Sequence, residues 1–354
     1  MRFHTLRIAD IRTETADTVS LGLTVPEADS PAFAYQPGQY LTLRATIGQE
    51  ELRRSYSICS GLDDGELRVA VKRVEDGRFS AWVHSLQIGD VVDAAPPDGR
   101  FTVALQADAA RLYLGVAAGS GITPVLSILK SVLSREPGSR FILLYGSRAT
   151  AQIIFRDQLE ALKDRFMSRL SVVHVLSREQ QDVPVMNGRL DGPKIRAVLA
   201  GLAPTPSIDH AFLCGPAGMI DEVTATLAAD GLAPDRIHSE RFFTGPAVPA
   251  RIRPPAEPAA APHAVATIVA DGVRTEVPVD AGEAVLDAAL RAGLDLPYSC
   301  RGGMCSTCRA RVTAGAVAMD VNYGLEPWET EAGFVLTCQS HPTTPTLTVD
   351  FDHV

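Results

Sequence analysis

Three of the six cysteines in this chain of 354 residues lie close together near its C-terminal end. Cys300, Cys305 and Cys308 have the spacing C-x4-C-x2-C, and Cys338 follows after 29 further residues. A structural zinc site usually pairs one short cysteine knuckle with a second, whereas Cys338 has no cysteine partner at knuckle spacing. The spacing is instead typical of a 2Fe–2S cluster, and structural zinc is the alternative.

Two glycines lie inside this cysteine loop. Gly302 and Gly303 allow the backbone to fold tightly and to point its N–H groups at the sulfur atoms. Such hydrogen bonds stabilise an anionic cluster and tune its reduction potential. The segment from L-D-A-A-L-R-A-G-L-D-L-P to L-T-C-Q resembles plant-type ferredoxins. The other two cysteines, Cys59 and Cys214, are far apart in sequence and are expected to be thiols.

A second group of residues that could bind a cofactor lies in the stretch R-S-Y-S, residues 54–57. Arg54 can pair with a flavin phosphate, Tyr56 can lie against the isoalloxazine ring, and Ser57 can hydrogen-bond near flavin N5. The stretch V-K-R-V-E-D-G-R-F-S follows, and its helix start suits a pyrophosphate. It contributes the further predicted flavin contacts Val71, Lys72, Gly77, Arg78, Phe79 and Ser80. The alternative is that these are ordinary surface positions of a β-barrel.

The third group is the glycine turn G-S-G-I-T-P, which follows the apolar stretch R-L-Y-L-G-V-A-A. A turn between a buried strand and a helix lets the backbone approach a pyrophosphate. Pro124 is expected in the first turn of that helix. A second turn, C-G-P, follows the strand A-F-L at the edge where parallel sheets bind ligands. The predicted nicotinamide nucleotide contacts are Gly119, Gly121, Thr123, Pro124, Cys214, Gly215 and Pro216.

Two arginines follow neighbouring predicted strands. Arg148 ends Y-G-S-R, and Ser177 and Arg178 follow V-V-H-V-L in the stretch S-R-E-Q. Guanidinium groups at this position can bind the 2′-phosphate of NADP, which predicts NADPH rather than NADH. The alternative is that both arginines are solvated loop residues.

The elements that must position these residues divide the chain into four parts. Residues 1–105 contain short strands and turns, which predicts an antiparallel β-barrel that binds the flavin. Residues 106–243 alternate strands and helices, as in a parallel α/β domain. Residues 244–263 contain six prolines and much alanine, which predicts an extended linker. Residues 264–354 form a separate module, expected to have the β-grasp fold of plant-type ferredoxins.

Charge and hydropathy exclude several classes of protein. Residues 264–354 have 12 acidic and 5 basic side chains and so contribute −7 of the net charge of −9. This argues against nucleic acid as a partner and suits a basic patch on a protein, or a merely solubilising surface. Residues 112–129 are uncharged, but their G-S-G-I-T-P turn interrupts any membrane helix. No secretory signal is visible, and we expect a cytoplasmic protein with no membrane partner.

Together these motifs point to a known family. The first 245 residues resemble the ferredoxin–NADP reductase superfamily through R-x-Y-S, G-x-G-x-T-P, S-R-E-Q and C-G-P in this order. With the C-terminal ferredoxin module, the whole chain resembles an oxygenase reductase component. The stretches E-E-L-R-R-S-Y-S-I-C, A-A-G-S-G-I-T-P, V-A-M-D-V-N-Y-G-L-E-P and V-D-F-D are similar to the group that serves bacterial phenylacetyl-CoA 1,2-epoxidases.

The resemblance implies a route for electrons. NADPH would reduce a flavin, FAD rather than FMN, and a 2Fe–2S cluster would pass single electrons to a di-iron oxygenase of aerobic phenylacetate catabolism. It also implies catalytic positions at Ser57, at Cys214 near the nicotinamide and at Glu240, in H-S-E-R-F-F, near the flavin. Relatives with a terminal aromatic residue shield the flavin with the chain end, and Phe242 or Phe243 is the candidate here.

Two other functions remain open. The first is a reductase for a different oxygenase, such as one that hydroxylates an aromatic ring. The second is a zinc-stabilised binding protein without catalytic activity.

Overall fold

The computed structural model describes residues 1–242 and 263–353. The chain forms two compact units, one built mainly from the residues before the gap and one mainly from those after it. The predicted linker, residues 244–263, lies outside the described residues except for His263, and so does Phe243. Within the two described ranges, no helix is both long and apolar enough to cross a membrane.

The first part of the chain is an antiparallel sheet of six strands in the order β4-β3-β6-β1-β2-β5. Its elements are β1 (His4–Thr15), β2 (Thr18–Thr24), β3 (Tyr40–Ile47), β4 (Glu50–Ser57), β5 (Leu67–Lys72), helix α1 (Arg78–Val83) and β6 (Val91–Ala94). Alternate side chains point to opposite faces of a strand, so that Leu6 and Ile8 of β1 are fully buried. Ile58, just after β4, bridges Val69 of β5 and joins the two edges of the sheet. The predicted antiparallel barrel is confirmed.

The second part is a parallel sheet of five strands in the order β11-β10-β7-β8-β9. Its strands are β7 (Leu112–Ala118), β8 (Arg140–Ser147), β9 (Leu170–Leu176), β10 (His210–Gly215) and β11 (Ile237–Arg241). Its helices are α2 (Ile122–Arg135), α3 (Arg156–Arg165), α4 (Gly192–Leu199) and α5 (Ala217–Ala229). Two apolar clusters cover this sheet, as expected where both faces of a parallel sheet are buried, and one of them also includes Ala70 of β5 in the barrel.

Strand order reverses between β7 and β10, which lie side by side at the centre of this sheet. The next strand in sequence after β7 lies to one side of it, and β10 lies to the other. Loops diverge at such a reversal and leave a crevice at the carboxyl ends of the strands, where doubly wound folds bind ligands. Both predicted nucleotide turns, G-S-G-I-T-P after β7 and C-G-P after β10, therefore lie at this crevice.

The second unit contains a mixed sheet of five strands in the order β13-β12-β18-β14-β16 and a two-stranded sheet, β15-β17. Its elements are β12 (Ala264–Ala270), β13 (Val273–Val279), α6 (Val285–Arg291), β14 (Arg309–Ala314), β15 (Val317–Met319), α7 (Pro327–Glu331), β16 (Phe334–Leu336), β17 (Ser340–Pro342) and β18 (Thr346–Asp350). Helix α6 buries Leu286 and Ala289 in a core with Ile268 of β12 and Val349 of β18. One helix packed on a mixed sheet agrees with the ferredoxin-like fold expected for this module.

Two helices were not predicted from the sequence. Helix α4 begins with glycine and proline, and α7 has only five residues. Each is held by capping: Asp191 accepts a hydrogen bond from the Lys194 N–H of α4, and Glu326 and Glu329 form a reciprocal capping box in α7. Such short helices carry little hydrophobic periodicity, and this explains why periodicity did not reveal them.

Candidate functional site

The structure brings together the three predicted catalytic residues, Ser57, Cys214 and Glu240. Glu240 of β11 lies opposite Cys214 of β10 in the parallel register. The hydroxyl of Ser57, at the end of β4, donates a hydrogen bond to Oε2 of Glu240 at 3.3 Å. Ser57 and Cys214 are buried, while Glu240 is half-buried. One site thus combines the end of a barrel strand with the carboxyl ends of two parallel strands.

Burial sets the protonation of this site. It raises the pKa of Glu240 to about 7, and the hydrogen bond from Ser57 opposes the rise because it favours the carboxylate. Burial also raises the pKa of the Cys214 thiol, and the nearby charge of Glu240 raises it further. Cys214 is therefore a neutral thiol at neutral pH, whereas Glu240 can hold or release a proton there.

The turn after β7 touches the turn after β10. A Cβ atom at Gly121 would lie 2.2 Å from the carbonyl oxygen of Cys214, so only glycine fits there. Gly119 has φ +55°, and a Cβ atom there would meet nothing within 4 Å. The two glycines therefore serve different purposes, since Gly121 allows contact between two backbones while Gly119 faces open space. Pro124 lies in the first turn of α2, as predicted, and Thr123 Oγ1 donates to the Ser120 carbonyl at 2.9 Å.

Tyr145 supports this turn and was missed in the sequence. It is fully buried in β8, and its hydroxyl donates to the carbonyl oxygen of Gly119 at 2.9 Å. The same hydroxyl accepts a hydrogen bond from the N–H of Ile154 at 3.3 Å. The signal was present in F-I-L-L-Y-G, where a hydroxyl occurs within an otherwise apolar strand and needs a buried partner.

The predicted flavin contacts Tyr56 and Phe79 lie near one another, with ring centroids 5.9 Å apart. Ser80 Oγ donates to the Gly77 carbonyl at 2.9 Å and accepts from the Val74 N–H at 3.1 Å. The Ser80 hydroxyl therefore shapes the turn before α1.

The long cationic side chains of the predicted flavin site already have local partners. Arg78 forms an ion pair with Glu50 and donates to the Ile47 carbonyl at 2.8 Å. Lys72 lies 3.4 Å from a carboxylate oxygen of Asp17. Arg54 Nη1 donates to the Arg53 carbonyl at 2.7 Å. Each would have to exchange or share its partner to meet a phosphate.

Val71, another predicted flavin contact, has no side-chain surface available to a ligand. Its side chain is fully buried in the barrel, and its carbonyl oxygen lies 3.1 Å from Nε2 of His84. Any flavin contact of Val71 would therefore be made through its backbone.

The predicted 2′-phosphate residues meet at the carboxyl ends of β8 and β9. The Arg178 N–H donates to the Arg148 carbonyl at 2.8 Å, and the Ser177 N–H donates to the Ser147 carbonyl at 3.0 Å. Arg148, Ser177 and Arg178 are all exposed. Glu179, next in the chain, accepts hydrogen bonds from the N–H and the hydroxyl of Thr150, each at 2.7 Å. The structure thus places the two arginine backbones side by side.

The four candidate ligand cysteines form two pairs. The thiol of Cys305 hydrogen-bonds Cys300 and lowers the pKa of Cys300 to about 5, while Cys338 is paired in the same way with Cys308. Among residues 1–242 and 263–353, no three His, Cys, Asp or Glu side chains converge on one metal position. Two pairs of cysteines are the arrangement in which each iron of a 2Fe–2S cluster takes two protein ligands.

Backbone N–H groups point at these sulfur atoms. Gly302 and Cys305 donate to Cys300 Sγ at 3.3 and 3.4 Å, and the Cys300 N–H lies 3.4 Å from Cys305 Sγ. Gly303 has φ +74° and allows the loop to turn. Backbone donors therefore point at the sulfur atoms of Cys300 and Cys305, as predicted, and such hydrogen bonds favour the thiolate form.

Three family descriptions match consecutive segments of the chain. Residues 5–103 match the oxidoreductase FAD-binding domain, 116–225 the oxidoreductase NAD-binding domain and 268–343 the 2Fe-2S iron-sulfur cluster binding domain. The chain is 42% identical over 353 residues to a subunit of the 1,2-phenylacetyl-CoA epoxidase of Escherichia coli (strain K12), a match that covers 99% of this chain and 98% of the relative. This chain belongs to the family of oxygenase reductase components. The resemblance seen in its motifs is confirmed.

Relatives in this family serve several oxygenases. The chain is 35% identical to the ferredoxin reductase component of 3-ketosteroid-9-alpha-monooxygenase from Rhodococcus rhodochrous, over 98% of this chain and 96% of the relative. It is 31% identical to the glycine betaine monooxygenase reductase subunit of Pseudomonas aeruginosa (strain UCBPP-PA14), over 96% and 93%. This chain is therefore an oxidoreductase with FAD-binding, NAD-binding and 2Fe–2S domains, of the kind that forms the reductase component of an oxygenase.

A solved structure shares the architecture over nearly the full length. Phthalate dioxygenase reductase matches with a TM-score of 0.61 and 23% identity, covering 99% of this chain and 98% of the other. At this identity the match concerns the fold alone, and it agrees with the predicted order of barrel, α/β domain and ferredoxin module.

Proposed function

We propose that this chain is the NADPH-dependent reductase of a phenylacetyl-CoA 1,2-epoxidase and supplies electrons to its di-iron oxygenase. The observation that carries the proposal is the 42% identity to the Escherichia coli epoxidase component across 99% of this chain. We also propose the boundaries 1–105, 106–243, 244–263 and 264–354 for its barrel, nucleotide domain, linker and ferredoxin module. Its six cysteines, assigned as thiols and cluster ligands, suit the reducing cytoplasm.

Two redox groups belong to this proposal. When bound, FAD accepts a hydride from the nicotinamide, and the 2Fe–2S cluster carries single electrons. Cys300, Cys305, Cys308 and Cys338 would hold the cluster. Arg54, Tyr56 and the turn before α1 would bind FAD, with the exposed guanidinium of Arg78 exchanging Glu50 for phosphate.

Ser57, Cys214 and Glu240 would form the meeting point of flavin and nicotinamide. The buried neutral thiol of Cys214 offers a small uncharged contact beside a nicotinamide ring. The carboxyl group of Glu240 can hold a proton, and its Oε2 accepts the hydrogen bond that Ser57 donates. The pair gives the site a titratable group with a pKa of about 7, in the range in which enzymes use general acids.

The turn of Gly119, Gly121, Thr123 and Pro124 would receive the pyrophosphate of NADPH, with Gly215 and Pro216 on the other side of the crevice. Arg148 and Arg178 would bind the 2′-phosphate, and Ser177 would add a hydroxyl. Their exposure and adjacent backbones support this assignment.

Cofactor analysis and reconstitution test the proposal. The purified protein should contain FAD, iron and acid-labile sulfide, and its visible spectrum should show both flavin and iron–sulfur bands. With the oxygenase subunits and phenylacetyl-CoA, NADPH consumption should become substrate-dependent. A protein with both chromophores but no such coupling would instead be the reductase of another oxygenase. A colourless protein that contains zinc would contradict the whole assignment.

A further inference from the structure

The cluster loop is bordered by a segment, residues 320–331, that exposes two aromatic side chains. Tyr323 is 42% exposed and Trp328 is 59% exposed. Within residues 263–353, the other exposed large hydrophobic side chain is Val273, on β13. Large aromatic side chains left in water are typical of surfaces that another protein covers.

Hydrogen bonds hold this segment against the cluster loop. The Tyr323 N–H donates to the Gly303 carbonyl at 3.0 Å, and Ser306 Oγ donates to the Gly324 carbonyl at 2.8 Å. The backbones of the segment and of the cluster loop lie close together, since a Cβ atom at Gly324 would be 2.7 Å from the carbonyl oxygen of Met304. Tyr323 is therefore fixed beside the residues that lie between Cys300 and Cys308.

A buried ion pair fixes Trp328 in the same way. Glu329, next to Trp328 in α7, pairs with Arg309 at a distance of 2.7 Å from Oε1 to Nε, and both side chains are buried. Arg309 follows the ligand Cys308 directly, and its guanidinium lies 3.4 Å from the centroid of Phe334. Helix α7 is thus attached to the end of the cluster loop, which fixes the backbone that carries Trp328 before any partner arrives.

The surroundings of these aromatics are acidic. Residues 312–354 contain six Asp or Glu and no Lys or Arg, while the exposed guanidinium of Arg311 meets the end of α7, where its Nε donates to the Ala332 carbonyl at 3.1 Å. Three of these acidic residues, Asp320, Glu326 and Glu331, lie within the segment and are exposed. Such a surface attracts a basic partner over several ångströms and repels an acidic one.

We propose that Tyr323 and Trp328 are the anchors by which the ferredoxin module docks on a basic face of the oxygenase component. The inference rests on the proposed function and adds the surface that meets the partner. Tyrosine and tryptophan are the side chains that dominate binding at many interfaces, and an acidic rim would set the encounter rate. The contact would bring the partner next to Cys300 and Cys305, which are partly exposed.

The test compares substitutions at this surface with matched ones on β13, at the opposite edge of the sheet. Trp328→Ala and Glu331→Lys are paired with Val273→Ala and Glu276→Lys, which also alter exposed positions. Two rates are measured on each holoprotein: reduction of its own cluster by NADPH, and substrate-dependent turnover at increasing oxygenase concentration.

We expect Trp328→Ala to raise the oxygenase concentration needed for half-maximal turnover about tenfold. Glu331→Lys should raise this concentration less and should weaken its dependence on salt. Both control variants should match the wild type. Cluster reduction by NADPH should be unchanged in all four. Turnover equal to the wild type for Trp328→Ala would overturn the docking surface. Slower cluster reduction in the same variant would also overturn it, since the surface would then serve transfer within the chain.

A second acceptor separates failure of this inference from failure of the proposed function. If the wild type does not couple to the epoxidase, cytochrome c serves as a basic protein acceptor for the same variants. Slower cytochrome c reduction by Trp328→Ala and Glu331→Lys, with normal controls, would support the surface even then. Equal rates for all variants would reject it.

Discussion

Glu240 and Ser57 lie 183 residues apart in sequence, yet the Ser57 hydroxyl donates to the Glu240 carboxylate at 3.3 Å. This hydrogen bond joins the barrel to the parallel sheet at the point where Cys214 is buried. It partly offsets the cost of enclosing a carboxylate, whose pKa still rises to about 7.

This carboxylate should make stability depend on pH. Glu240 binds its proton more tightly in the folded chain than in the unfolded one, where the pKa is about 4.5. Stability should therefore fall as pH rises from about 4.5 through 7, by up to about 3 kcal/mol. Glu240→Gln should remove this component, so that the variant gains most over the wild type at pH 8.

The effect is measured by unfolding the holoprotein in urea at pH 5 and at pH 8, with release of the flavin as the signal of unfolding. Glu276→Gln, an exposed position on β13, is the control and should follow the wild type. An identical change with pH in Glu240→Gln and the wild type would mean that Glu240 is not buried as a proton-holding group.

The two glycines of the nucleotide turn should differ sharply in their tolerance of alanine. At Gly119 a methyl group has space, and the cost is the left-handed backbone, about 1 kcal/mol. At Gly121 the methyl group would collide with the Cys214 carbonyl, so the two turns must separate. Gly121→Ala should therefore lower the thermal midpoint much more than Gly119→Ala. Equal midpoints would contradict the close contact between the turns.

Arg178 should set the preference for NADPH over NADH. Arg178→Ala should lower kcat/KM for NADPH by about tenfold or more and leave that for NADH nearly unchanged, because only NADPH carries the 2′-phosphate. Arg165→Ala is the control, since Arg165 ends α3 just before the amino end of β9, whereas Arg178 follows the carboxyl end of that strand. Steady-state reduction of ferricyanide with each nucleotide gives both constants. An unchanged ratio of the two would remove Arg178 from the 2′-phosphate site.

The cysteine pairs predict which thiols the cluster needs. Cys338→Ser should lose iron, sulfide and the iron–sulfur absorbance while keeping the flavin, because one iron would lack half of its protein ligands. Cys59→Ser should keep both chromophores, since Cys59 is a buried thiol in the barrel. Iron and sulfide analysis, together with a visible spectrum, shows whether each variant keeps its cluster and its flavin. Full cluster content in Cys338→Ser would show that the distant cysteine is not a ligand.

The sequence by itself determined the kinds of domain and the kinds of chemistry. Cys300, Cys305 and Cys308 are predicted as cluster ligands from sequence alone, because their spacing is short and the loop joining them is local. The alternation of strands and helices determined the α/β domain, and the apolar run after Arg111 located its central strand. Short-range spacing and periodicity are enough for such features, because each depends on neighbours in the chain.

Only the tertiary structure decided which distant residues meet. Strand order placed β10 between β7 and β11, and so set Glu240 opposite Cys214 and brought Gly121 against the Cys214 carbonyl. The role of Tyr145 and the pairing of Cys338 with Cys308 also depend on contacts between segments far apart in sequence. No local pattern encodes these contacts, since they follow from how β-strands order themselves around a shared core and from the burial that shifts the pKa of Glu240.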